Sequence, residues 1–216
     1  SGTSLDGIDA ALVDIRPHAA SYAVDVLRFE TYPFESHLEA LLREALPPQR
    51  GTVAGVAALH RRLGDAFAHA ASALARGEHV DYAASHGQTL FHAGERSVTL
   101  QVGDAFAIRE ALRASVCYDF RSADCAVGGH GAPLVPYVDA LLYANEREDR
   151  VAVNLGGIAN VTLLRKNAPP IGFDTGPANM LVDLLVRDRS GGTERFDRDG
   201  ALASRGRVDS ALLDAM

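Results

Sequence analysis

Three short stretches of the chain carry residues whose types and spacing could address a phosphate. The first is Gly2-Thr3-Ser4-Leu5-Asp6-Gly7, the second Asn154-Leu155-Gly156-Gly157-Ile158-Ala159-Asn160, the third Gly172-Phe173-Asp174-Thr175-Gly176-Pro177. Glycine lets backbone N–H groups come close to an anion, and the Thr3 and Ser4 hydroxyls add donors. Asp6 alone would repel phosphate. With Mg²⁺ present it becomes a direct or water-mediated partner of the metal, which favours carboxylates together with phosphate oxygens. Each of the first two stretches is equally the composition of a plain hairpin turn. Asp174 is open to two readings. It is a helix cap, or it is a general base at a strand end beside a helix N-terminus whose free N–H groups can meet an anion.

Two further stretches offer polar side chains to a small molecule. "SHGQT" supplies His86, Gln88 and Thr89, and "DFRSADCAVGGHGAPL" supplies Asp119, Arg121 and Asp124. Arg121 and Asp124 suit sugar hydroxyls or a carboxylate, and suit a structural ion pair with each other just as well. His86 and His92 are spaced for neither a helical nor a strand metal pair, and Cys117 and Cys125 lack metal-site spacing, so the thiols are expected to be buried and reduced. The chain has neither a GxxxxGK[ST] loop nor a GxGxxG fingerprint, which disfavours P-loop and Rossmann nucleotide sites.

Elements must hold these residues in place. Apolar alternation predicts strands over 10–15 and 23–32. A helix follows from Ser36, as N-cap, to a stop at Pro47-Pro48, and a long one runs from a Thr52 cap to Gly77. "VDYAAS" leads as a strand into the "HGQT" turn. "SVTLQVG" and "SVCYDF" read as strands around a helix capped by Asp104, and such a crossover suggests a mixed or parallel sheet. After a break rich in glycine and small residues come a helix ("VPYVDALLYA"), a hairpin ("RVAVNLGGIANVTLLR"), a strand ("IGFDTG") and a helix with Pro177 in its first turn and Gly191 past its end. "LDGIDAALV" and "LGGIANVTL" share Leu-x-Gly-Ile ahead of an apolar run, a faint echo of a duplicated α/β unit. The pattern divides into a first lobe at 1–120 and a second at 121–216. The opening turn lacks an entering strand and the last helix stops mid-pattern, so both ends are expected to be cut.

The 216 residues are 47% hydrophobic and 23% charged, the balance of a folded domain rather than a disordered chain. A net charge of −7 without any Lys/Arg block argues against nucleic acid or an anionic membrane as a bulk partner. No apolar run reaches the roughly 18 residues that span a bilayer.

"SGTSLDGIDAALV", "SHGQT", "DFRSADCAVGGHGAPLVP", "NLGGIANVTLL", "GFDTGPANMLVD" and "FDRDGALASRG", in that order, resemble the anhydro-N-acetylmuramic acid kinases, a branch of the sugar kinase/Hsp70/actin superfamily. The resemblance implies an α/β, bilobal actin-like ATPase fold with ribonuclease-H-like sheets and ATP in the cleft. The phosphates would lie against Gly2, Thr3, Ser4, Leu5, Asp6, Gly7, Ile8 and Asp9 and against Asn154, Gly156 and Gly157, with Mg²⁺ near Asp6. It implies that ATP and water convert 1,6-anhydro-N-acetylmuramic acid to N-acetylmuramic acid 6-phosphate and ADP. Asp174 would prepare the water, and His86, Gln88, Arg121 and Asp124 would face the sugar. A cytoplasmic homodimer that recycles cell-wall sugar is implied as well. Two other readings stand beside it: an actin/Hsp70-like module that reports nucleotide to a protein partner, and a kinase for a different sugar.

Overall fold

A computed structural model describes residues 7–18, 21–46 and 51–215. Gly2 to Asp6 and the Pro47-Pro48 helix stop lie outside the described residues. By their contacts the residues form two units, Ser1–Leu134 and Val135–Met216, so residues 121–134 group with the first.

In the first unit β1 (Ile8–His18) and β2 (Ser21–Tyr32) form an antiparallel pair with an irregularity at Leu12/Val13. Helices α1 (Ser36–Ala45) and α2 (Val53–Ala75) follow. Next comes β3 (Tyr82–Ser85), which pairs in parallel with β6 (Ser115–Tyr118). The connection between these two strands carries an antiparallel hairpin, β4 (Gln88–Ala93) and β5 (Val98–Val102), and α3 (Ala105–Leu112). A parallel pair needs such a long crossover, which is how the expected helix between strands is realised. The short α4 (Phe120–Ala126) completes the elements of this unit.

Helix α2 organises the core. Leu59, Leu63, Phe67, Ala70 and Leu74 recur at helical spacing and are all buried, with Leu42 of α1 and Leu90, Val102 and Ile108 packed into the same cluster. Each fully buried leucine contributes about 1.5–3 kcal/mol. Thr52 caps α2 through Oγ1, which accepts from Gly55 N–H at 3.0 Å, and Asp104 caps α3 by accepting from Phe106 N–H at 3.0 Å. Both caps match the sequence expectation.

Helix α2 ends at Ala75 with Arg76 as its C-cap, and Gly77 follows with φ 80°, the closing glycine expected there. Three local expectations are corrected. Glu35, not Ser36, is the N-cap of α1, and Ser36 is its first helical residue. β4 and α4 occupy stretches read as turn and as glycine-rich break, because neither is long enough to show a period. The thiols are not both buried: Cys117 is exposed and Cys125 half-buried, and both are free.

The second unit holds α5 (Val135–Tyr143), the strands β7 (Arg150–Leu155), β8 (Ile158–Leu164) and β9 (Ile171–Pro177), and helices α6 (Asn179–Arg189) and α7 (Ser210–Ala215). The three strands form one antiparallel sheet in the order β7-β8-β9. Thr162 of β8 is buried and donates through Oγ1 to Asp139 Oδ2 of α5 at 2.6 Å, which ties sheet to helix. Pro177 is the last residue of β9 rather than part of the helix, which starts at Asn179. The whole is a mixed α/β chain, and no described helix is long and apolar enough to cross a membrane.

Candidate functional site

In the first unit the structure gathers three of the four sugar-facing candidates. Arg121 and Asp124 stand three residues apart on α4, on one face of the helix. Their common target is Gly131. Its N–H donates to Asp124 Oδ2 at 2.7 Å, and its carbonyl accepts from Arg121 Nη1 at 2.7 Å. Gly131 is buried, so both of its backbone groups need partners, and α4 supplies them. The two side chains therefore do not pair with each other. They hold the glycine-rich loop against the helix. Gly129 makes room for this: a Cβ there would sit 2.1 Å from Asp124 Oδ2.

His86, directly after β3, joins from the other side. Arg121 Nε donates to His86 Nε2 at 2.8 Å. A guanidinium can only donate, so Nε2 must be the unprotonated ring nitrogen. The proton is then on Nδ1, which lies 3.1 Å from the Gly87 carbonyl. Burial lowers the His86 pKa from its ordinary value. The Gly87 carbonyl opposes that shift and the Arg121 charge adds to it, so the imidazole is held neutral. Burial also lowers the Arg121 pKa, though an arginine stays charged. Gln88 is separate from this cluster. It is fully enclosed on β4, with Nε2 3.4 Å from the Thr89 carbonyl.

Of the first turn, Gly7, Ile8 and Asp9 are described. Gly7 has φ +156°, and a Cβ on it would lie 2.8 Å from both Thr31 Cγ2 and the Tyr32 carbonyl oxygen. Glycine is thus demanded by the approach to β2. Ile8 is buried, and Asp9 Oδ1 accepts from Thr31 Oγ1 at 2.7 Å.

The second turn is arranged differently. Gly156 and Gly157 are the two-residue loop between β7 and β8, and their carbonyls face α6. Asn179 N–H donates to Gly156 O at 3.0 Å, and Ala178 and Met180 N–H donate to Gly157 O at 2.9 and 3.2 Å. Asn179 Nδ2 adds a bond to Leu155 O at 2.8 Å. The helix N-terminus is thus filled by the hairpin and is not open to an anion, which corrects the expectation of free N–H groups after Asp174. A planar trans peptide whose C=O faces α6 turns its N–H away from it, so Gly157 N–H points outward, without a partner among the described residues. Neither glycine has positive φ, and added Cβ atoms would meet only ordinary contacts at 3.4 Å or more. Nothing in the fold itself asks for glycine here. Close approach of a ligand would.

Asp174 lies on β9, paired with Asn160, two residues into β8 from that turn. A register shift at Ala159/Asn160 leaves Thr175 as the extra residue, and its Oγ1 donates to Ala159 O at 3.2 Å. Such bulges re-aim neighbouring side chains. The Asp174 side chain is exposed and accepts from nothing among the described residues, so it is not a helix cap.

A family model described as anhydro-N-acetylmuramic acid kinase matches residues 1–216, the full length of the chain. The chain belongs to that family. It is similar to the anhydro-N-acetylmuramic acid kinase of Caldanaerobacter subterraneus subsp. tengcongensis, 40% identical over 230 residues, covering 99% of this chain and 58% of that protein. The kinases of that name from Streptomyces coelicolor and Gloeobacter violaceus are 42% and 43% identical over 219 and 226 residues. Each again covers 99% of this chain, and the match spans 56% and 59% of those proteins. The chain therefore spans a little under three-fifths of the curated kinases it matches.

Sequence reasoning singles out neither Gly131 nor Asn179. Gly131 is one of several glycines in its stretch, and its role shows only when α4 forms. Asn179, following Pro-Ala, is a recognisable side-chain donor at a helix start, but its target lies on another strand.

Proposed function

We propose that the complete protein is an anhydro-N-acetylmuramic acid kinase. In this reading it uses ATP and water to open 1,6-anhydro-N-acetylmuramic acid and phosphorylate O6, giving N-acetylmuramic acid 6-phosphate and ADP. The observation that carries this reading is the family match over residues 1–216. The bilobal actin-like arrangement, the cytoplasmic location and the homodimer belong to the same proposal.

The anhydro sugar has no hydroxyl at O6, because that oxygen is bonded to C1. Water must form a bond to C1 as the C1–O6 bond breaks, and O6 then takes the γ-phosphoryl group. Asp174, exposed and uncommitted on β9, takes the proton from that water as general base. Gly157 N–H, aimed away from α6, and the neighbouring Gly156 and Asn154 would hold phosphate oxygens of ATP. Gly7, Ile8 and Asp9 lead from the Gly2–Asp6 segment into β1, and Asp6 is the proposed Mg²⁺ partner. When bound, the metal supplies neutralisation of phosphate charge. His86, Gln88, Arg121 and Asp124 are the proposed sugar-site residues, with Asp124 acting through its bond to Gly131 N–H.

The test uses the complete protein with Mg·ATP and 1,6-anhydro-N-acetylmuramic acid in ¹⁸O-labelled water, followed by mass spectrometry. Label in the sugar but not in its phosphate is expected. ADP formed without labelled sugar phosphate, or only with a reducing sugar, would reject the reading.

A further inference from the structure

Helix α6 has no side-chain cap: Ala178 stands at its N-cap position, and the turn between β7 and β8 meets the first N–H groups instead. Three consecutive carbonyls of that turn, those of Leu155, Gly156 and Gly157, accept from the start of the helix. Ala178 and Met180 N–H hold Gly157 O. Asn179 holds the other two, with its N–H donating to Gly156 O at 3.0 Å and its Nδ2 to Leu155 O at 2.8 Å. The main-chain bonds follow from having a helix there. The side-chain bond does not, and because Asn179 is exposed it adds little to stability.

What the side-chain bond adds is direction. In a planar trans peptide the N–H points opposite the C=O. Gly157 N–H shares a peptide with Gly156 O, and Gly156 N–H shares one with Leu155 O, so both are turned away from α6. Neither has a partner among the described residues. Two successive N–H groups turned the same way suit an anion. A carbonyl that accepts a hydrogen bond also polarises the N–H of its own peptide, which strengthens that donor.

We infer that Asn179 is the positioning residue of this turn: its amide fixes the Leu155–Gly156 peptide so that Gly156 N–H joins Gly157 N–H as a paired donor to a nucleotide phosphate. The inference rests on the proposed function for the phosphate and goes beyond it in assigning the residue that aims the donors. Asn179 does not touch the ligand in this account. An aspartate has the shape of asparagine but only accepts, so it would meet Leu155 O oxygen to oxygen. Aspartate also suits the first turn of a helix. Asn179→Asp therefore keeps α6 and removes the clasp, and Asn179→Ala removes it without adding charge.

The test is made on the complete protein and reads binding rather than turnover. A non-hydrolysable ATP analogue with Mg²⁺ is compared with adenosine, which has no phosphate, by calorimetry. Asn179→Ala should weaken the analogue about fivefold to tenfold, part of the worth of a hydrogen bond to a charged group. Adenosine should stay within about twofold. Equal loss for both ligands would make Asn179 a structural residue and overturn the inference, as would no loss for either. Asn179→Asp should weaken the analogue at least as much while the urea midpoint does not fall. A midpoint that falls with the affinity, or a loss in Asn179→Asp without one in Asn179→Ala, would trace the effect to unfolding or to charge and overturn the assignment. In a Gly157→Ala background, where approach to the turn is already obstructed, Asn179→Ala should cost less than about twofold more. The full loss over again would show that Asn179 acts elsewhere. Turnover of the anhydro sugar is scored separately. Labelled sugar phosphate from a protein whose analogue binding ignores Asn179 would keep the proposed function and reject this inference. A phosphate-selective loss without turnover of that sugar would do the reverse.

Discussion

Asp124 and Asp174 are both carboxylates set among glycines, and the two units use them in opposite ways. Asp124 lies 2.7 Å from the buried N–H of Gly131, and Gly129 is bare so that it can reach. The Asp174 side chain stands exposed on β9 with no hydrogen bond among the described residues. The glycines divide in the same way. Gly7 and Gly129 are required by protein atoms a Cβ would strike, whereas Gly156 and Gly157 sit where the protein leaves room. The lesson is that residue type does not tell a structural carboxylate from a reactive one. Whether the fold already satisfies the group does.

The strongest way to break this comparison is Asp174→Asn in the complete protein. If Asp174 is uncommitted in the fold and acts as base, kcat should fall by about 10²-fold or more. The urea midpoint should stay unchanged, because an exposed side chain without partners contributes little to stability. A drop in the midpoint together with activity would make Asp174 a structural residue like Asp124.

Asp124 should show the converse. Asp124→Ala leaves the buried Gly131 N–H unpaired, and about 1–3 kcal/mol of stability should be lost in urea unfolding. Gly129→Ala should cost a similar amount, since the new methyl displaces the same carboxylate. The two losses share one cause, so the double variant should cost little more than either single one. Full additivity would show that Gly129 does not serve Asp124.

A smaller effect tests the glycine pair. Gly157→Ala meets only Met180 Cβ at 3.9 Å, so stability should change by less than about 0.5 kcal/mol. The KM for ATP should rise roughly tenfold, as expected when a backbone donor to phosphate is obstructed. An unchanged KM would reduce this hairpin to an ordinary turn.

How much of this was legible in the sequence follows the same line. Long periodic segments were: α2 with its Thr52 cap, α3 with its Asp104 cap, the existence of strands β1 and β2, though not their pairing or the full length of β1, and the β7–β8 hairpin all announce themselves by period and end signals. Short elements were not, since seven residues of α4 are too few for a helical period to emerge against "VGGHG". Pro177 misled for a physical reason. Proline suits a first helical turn, but it also suits the end of an edge strand, and β9 is an edge. The candidate site was legible by residue type only. That His86, Arg121 and Asp124 meet, that Asp124 and Arg121 bond Gly131 rather than each other, and that the hairpin carbonyls fill the α6 N-terminus all depend on contacts between residues distant in sequence.

The smallest expected effect concerns pH and sharpens the Arg121 side of the comparison. Burial holds the folded-state pKa of His86 below the unfolded value of 6.5. Between those two values the unfolded chain binds a proton that the folded chain refuses, so stability rises with pH across that window. The contribution is fully present above pH 6.5, is lost progressively as pH falls below it, and changes no further once the folded imidazole also protonates. His86 is partly open to solvent, so the effect should be modest, and other groups titrate in the same range. The comparison is therefore made against His86→Gln, which keeps an acceptor for Arg121 Nε but cannot protonate. Between pH 7.5 and 5.5 the melting temperature of the wild type should fall more than that of the variant. Parallel curves would mean that the imidazole keeps its ordinary pKa in the folded chain, and that Arg121 is not held by a neutral ring.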